Sequence, residues 1–278
     1  MSAYFPLPPS ISIKENTNKI IGSLTFLNYP NNRLNSIIKK RNYKDDVYLG
    51  IYFFRNQNWH LLEIKKCNPM EFLEIYRSDL DVDDHEMVVA IPKKLKSFKK
   101  NYRNLPEPDL LKIDNSIVAQ RASLNFSYLD SKTSYQGEYP YKMSILKKSS
   151  LLTFDTLKQN IHKSVRNFLI LMNISIIKDS LSNLQIKSFD PNNVEKFEIL
   201  NAKRNSFTIF ETSSYEKRFV ESSTIFLTSK EATFIPLILS LDLNTKQLSV
   251  EHTHPPTEYF FGNKKRESVN LIKKEWIN

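Results

Sequence analysis

A single cysteine, Cys67, stands among the 278 residues, which excludes an internal disulfide framework and every Cys-rich zinc or iron–sulfur arrangement. There are only four glycines, Gly22, Gly50, Gly137 and Gly262, far below the roughly 7% of an average chain. They are widely separated, so the G-x-G-x-x-G dinucleotide turn and the P-loop, both of which cradle phosphate on closely spaced glycines, are absent. The G-x-S-x-G nucleophile elbow is excluded for the same reason. No segment approaches the roughly 18 to 20 apolar residues of a bilayer-spanning helix; the most apolar run, Phe168 to Ile177, is broken by Asn173 and Ser175. The N-terminus, Met1-Ser2-Ala3-Tyr4-Phe5-Pro6-Leu7-Pro8-Pro9, has neither the basic n-region nor the apolar h-region of a secretory signal. The expectation is a soluble, cytoplasmic protein in a reducing compartment, with no membrane span and an extended Pro-rich arm over residues 1–10.

What is present is a globular composition. A hydrophobic share of 40% with 12% aromatics is enough for a well-buried core. The formal charge of +10 and a pI near 9.4 favour an anionic ligand or polyanion as partner. Nucleic acid is neither supported by a binding motif nor excluded, and richness in Lys, Asn and Ile also arises from compositional bias alone. The sequence leaves cofactor, metal and oligomeric state open, and no internal repeat is visible.

The first half reads as strands. Ile20 to Tyr29, Val47 to Phe54 and Trp59 to Lys66 are rich in β-branched and aromatic residues, and Arg55-Asn56-Gln57-Asn58 supplies the turn of a hairpin. Glu86 to Ile91 continues the pattern. From Arg121 to Leu129, Ala122, Leu124, Phe126 and Tyr128 alternate with Arg121, Ser123, Asn125 and Ser127, the period of a half-buried strand. Phe154, Leu157, Ile161, Val165, Phe168 and Met172 then fall at helical spacing and predict an amphipathic helix over about 154–172. Strand-like pieces follow at Leu184 to Phe189, Lys196 to Leu200, Phe207 to Phe210, Arg218 to Val220 and Thr224 to Thr228. Phe234 to Leu241 and Gln247 to His252 form a closing hairpin around Asn244-Thr245, and a second helix is expected over about 265–276. The fold class read from these elements is α+β, a mostly antiparallel sheet in one domain over residues 11–278. A basic excursion at 92–115 interrupts it.

Two constellations carry the candidate site residues. His252 and His254 stand two apart at a strand end, a spacing that lets both imidazoles reach one ion or ligand, with Glu258 as the nearby carboxylate. The motif is not H-E-x-x-H, and the Ser and Asp ligands that follow His-x-His-Pro in JAMM-type metalloproteases have no counterpart here. In Ser134 to Met143, Tyr135, Gln136, Glu138, Tyr139 and Tyr141 surround Gly137, and such rings beside amide and carboxylate groups suit a sugar or a base. The bland alternatives are histidines bound to loop backbone and tyrosines covering a core.

Three further stretches are weaker. In Pro92 to Arg103 the residues Leu95, Phe98 and Tyr102 would anchor one face of a helix while lysines line the other, a surface suited to phosphate or anionic lipid. Asp79 to Glu86 mimics a calcium loop but has Asp84 where the sixth-position glycine belongs and Ala90 at the twelfth position. Cys67 follows Lys65 and Lys66, yet His60 would point to the opposite strand face, which leaves the thiol without a base. The function expected from the sequence is recognition of a polar or anionic ligand, a glycan, nucleotide or polyphosphate, through the Tyr-rich loop and the His-x-His strand end. A hydrolase or lyase using His252 and His254 with a carboxylate and a divalent metal is the alternative, and a basic subunit of a larger assembly the second.

Overall fold

In the computed structural model, residues 3–13, 17–28, 46–93, 95–109, 112–113, 116–117, 121–145, 150–153, 164–176, 182–189, 196–211, 224–229 and 234–252 are described. They divide into two units, Met1–Met143 and Ser144–Asn278.

The first unit runs β1 (Ala3–Leu7), β2 (Ile11–Ser12), β3 (Lys19–Leu27), β4 (Val47–Arg55), β5 (Asn58–Cys67), β6 (Phe72–Tyr76), β7 (Val88–Lys93) and β8 (Asn101–Tyr102). It continues through β9 (Lys112–Ile113), β10 (Ser116–Ile117), β11 (Arg121–Tyr128), β12 (Ser131–Gln136) and β13 (Tyr139–Pro140). One sheet has the order β13-β1-β7-β4-β5-β8, and a second has β12-β11-β3-β2 with β6 also on β3. All pairings are antiparallel. The β4–β5 hairpin closes with Arg55 opposite Asn58, and Asn56 and Gln57 take φ of 52° and 62°, the left-handed pair that a two-residue hairpin turn requires.

The core of this unit lies between the sheets. Phe5 of β1 meets Phe26 of β3 edge to face at 5.3 Å, and Leu24, Phe126, Leu124 and Ile75 are buried around them. At one corner the Pro8–Pro9 backbone comes so close to Gly22 that a Cβ there would overlap the Pro8 carbonyl, which fixes glycine at that position. In the N-terminal segment, Ala3–Leu7 is buried along its whole length as β1.

In the second unit the strands are β14 (Ser150–Thr153), β15 (Val165–Asn173), β16 (Ser182–Phe189), β17 (Lys196–Ala202), β18 (Ser206–Glu211), β19 (Thr224–Ser229), β20 (Ile235–Asp242) and β21 (Leu248–His252). They form sheets of order β14-β19-β16-β17 and β18-β15-β20-β21. The expected central helix is overturned here: its C-terminal half is β15, paired with β18 on one side and β20 on the other. A strand buried on both faces is a continuous apolar run, and Phe168-Leu169-Ile170-Leu171-Met172, all buried, satisfies helical spacing by being apolar at every position. Residues 154–163 and the second expected helix at 265–276 lie outside the described residues. The α+β class is therefore corrected to an antiparallel β-rich fold, whose α-helix among the described residues is one turn, α1 (Tyr141–Ser144). No helix among those residues is long and apolar enough to cross a membrane.

Candidate anion-binding surface

The basic excursion is not the amphipathic helix that its spacing suggests. After β7 it makes one 3-10 turn, Leu95–Ser97, and then pairs as β8 with β5, Asn101 opposite His60 and Tyr102 opposite Trp59. Leu95, an expected anchor, is 50% exposed, because a short turn followed by a strand cannot keep residues 95, 98 and 102 on one stripe.

Instead the segment is pinned onto the six-stranded sheet by contacts to its backbone. The Phe98 ring rests on Gly50, where a Cβ would come within 2.5 Å of it. The Tyr52 hydroxyl donates to the Lys99 carbonyl at 2.8 Å, and the Leu61 amide donates to the Lys100 carbonyl at 2.8 Å. Tyr102 donates to the Ser97 carbonyl at 3.1 Å, and Tyr4 donates to the carbonyls of Leu105 and Pro106 at 3.3 and 3.0 Å. Burial, then the neighbouring Tyr102, pushes the Tyr52 hydroxyl well above the ordinary phenol range, so it stays protonated and remains a donor. With the main chain held at so many points, Lys99, Lys100 and Arg103 are presented to solvent from a fixed ridge.

Two acidic groups of the same unit are engaged by other cations. Asp84 is 2.6 Å from Lys19, and Arg55 grips both oxygens of Glu86 at 2.5 and 2.7 Å. Glu86 is pushed up by burial but pulled further down by Arg55, the Asp83 amide and the charge of Arg77, and ends below the usual carboxylate range. Arg77, only 2% exposed, donates to four carbonyls: Pro8 at 2.8 Å, Leu7 at 3.0 Å, Asp83 at 2.9 Å and Glu86 at 2.9 Å. Burial lowers its pKa to about 10, so the guanidinium stays charged at neutral pH. Within the excursion, Lys93 takes Asp109 at 3.2 Å. Lys99, Lys100 and Arg103 form no ion pair among the described residues.

The expected ligand residues of the Tyr-rich loop fall on different faces. Tyr135 is half-buried on β12 opposite Leu124, and burial raises its hydroxyl pKa; Gln136 is exposed on the other face. Glu138 is half-buried. Tyr139 is fully buried and pairs with Tyr4, while Tyr141 meets the Tyr4 ring edge-on at 6.0 Å. His252 ends β21 opposite Leu237, and His254 and Glu258 lie outside the described residues. No group of three or more potential metal ligands occurs among the described residues. Both His60 nitrogens are engaged, Nδ1 with Asn101 at 3.0 Å and Nε2 with the Arg55 carbonyl at 3.1 Å. Cys67 is 2% exposed, and burial pushes its thiol up to about 11.

Two structural features escaped the sequence reading. The anchoring of the basic segment depends on Tyr4, Tyr52 and Gly50, which are remote in sequence, although the spare tyrosines beside a glycine-poor strand were a visible signal. Arg77 carries no sequence signal at all. Compared with known proteins, the chain matches no family model, no curated protein and no solved structure.

Proposed function

We propose that this chain is a soluble, cytoplasmic recognition protein for an anionic ligand that carries several phosphate or sulfate groups, and that residues 99–103 are its main contact. The observation that carries the reading is the pinned ridge of Lys99, Lys100 and Arg103, which is exposed and without acidic partners among the described residues. A cation on a mobile loop gives up side-chain and main-chain freedom on binding; here the main-chain part of that cost is already met by folding. Binding through fixed point charges is also consistent with the net charge of +10 and with the tying of Asp84 and Glu86 to other cations.

Heparin chromatography and titration with inorganic polyphosphate test the reading. The wild type is expected to elute above about 0.3 M NaCl, where the screening length is only about 5–6 Å and diffuse attraction is weak. The triple variant Lys99→Glu, Lys100→Glu, Arg103→Glu should elute far earlier. A control that reverses three exposed lysines elsewhere, Lys132→Glu, Lys142→Glu, Lys203→Glu, changes net charge equally and should elute close to the wild type. Equal losses in the two triple variants would reduce the binding to bulk charge and overturn the proposal.

A further inference from the structure

The second sheet of the first unit turns to solvent a face of a different character. Pairing registers place Glu74, Thr25, Ser123 and Gln136 in one row across β6, β3, β11 and β12. Tyr76, Ser23, Asn125 and Ser134 form the next row along the same four strands. Strand spacing of about 4.8 Å and a two-residue repeat of about 6.8 Å make this a grid about 14 Å wide. Alternation in β3 confirms the facing, since Ile20, Leu24 and Phe26 are buried while Ser23 and Thr25 are partly exposed.

The grid is almost uncharged. These eight positions hold hydroxyls, amides, a phenol and one carboxylate, Glu74, which accepts from the Tyr76 hydroxyl at 2.7 Å; Lys132, on the same face of β12, stands in the row beyond them, opposite Ser127. Asn125 donates to Thr25 at 2.8 Å and approaches the Ser23 hydroxyl at 3.4 Å; hydroxyls that accept in this way still have their own protons to donate outward. Beside the grid on β6, Phe72 is 63% exposed. Neutral groups that both donate and accept, next to an exposed ring, match the alternating hydroxyl rim and apolar face of a pyranose. None of the eight positions carries a cation for a polyanion. We propose that this sheet face binds a neutral glycan chain, with Phe72 stacking on a sugar ring and Gln136, Ser134 and Asn125 bonding its hydroxyls.

The proposal is independent of the anionic site, and affinity electrophoresis separates the two. Probes are laminarin, mannan, xylan and soluble starch, each cast in a native gel. At least one should retard the wild type and, equally, the variant with Lys99, Lys100 and Arg103 reversed. Phe72→Ala and Gln136→Ala, both at exposed positions, should each weaken that retardation at least tenfold while heparin elution stays unchanged. Retardation by none of the four neutral glycans would overturn the proposal, as would retardation that ignores both substitutions. Sedimentation showing a dimer that Phe72→Ala dissolves would assign the face to a second copy of the chain instead.

Discussion

Replacing Arg77 by Met keeps an unbranched side chain of similar length and removes the guanidinium that holds the N-terminal strand to the acidic turn. Four backbone carbonyls, of Leu7, Pro8, Asp83 and Glu86, lose their donor. Hydrogen bonds to a charged group contribute about 1.5–3 kcal/mol each, so the gross loss is about 6–12 kcal/mol. Against this stands relief of burying the cation, which costs several kcal/mol in a site this enclosed. The difference, about 3–5 kcal/mol, is the expected fall in stability of the first unit, in line with what removing one side of a buried charged network costs. Urea unfolding at pH 7 measures it, followed through Trp59, which is 1% exposed, in a Trp276→Phe background so that only the first unit reports. Arg77→Lys, which keeps the charge but cannot fork to four acceptors, should fall between Met and wild type. A loss below about 1 kcal/mol for Arg77→Met would place it with ordinary surface substitutions and refute the clamp.

Two further outcomes follow from local geometry. Leu129 is 55% exposed with φ of 52°, a left-handed conformation that costs an ordinary residue roughly 1–2 kcal/mol; Leu129→Asn should raise the melting temperature, and an unchanged or lower value would count against strain at this hairpin tip. The buried Cys67 thiol, pushed up to about 11, should react with Ellman's reagent at pH 8 only after unfolding, so stoichiometric reaction of the native protein within minutes would contradict its placement.

The sequence and the fold agree where side-chain period and turn chemistry point the same way. The β4–β5 hairpin, β11 and the closing β20–β21 hairpin were legible because alternation or a β-branched run is bounded there by polar turn residues. Val165 to Asn173 was not, since a run apolar at every position fits both periods and only pairing with β18 and β20 decides between them. Tyr139 looked like a ligand contact because its neighbours are polar, but its burial depends on β1, more than a hundred residues earlier. The alternating Ser123, Asn125 and Ser127 could be read as a solvent face; that Ser23, Thr25, Glu74 and Tyr76 extend it into a grid is a matter of register, which no local window contains.

Because the Phe98 ring covers Gly50 and the Leu105 and Pro106 carbonyls hold Tyr4, the cationic stretch is masonry for the six-stranded sheet. Trimming it as one trims a surface loop would bare Tyr4, Gly50 and Tyr52 to water. Substitution of this stretch is therefore expected to be tolerated at its outward-pointing residues, with chain length across it held constant.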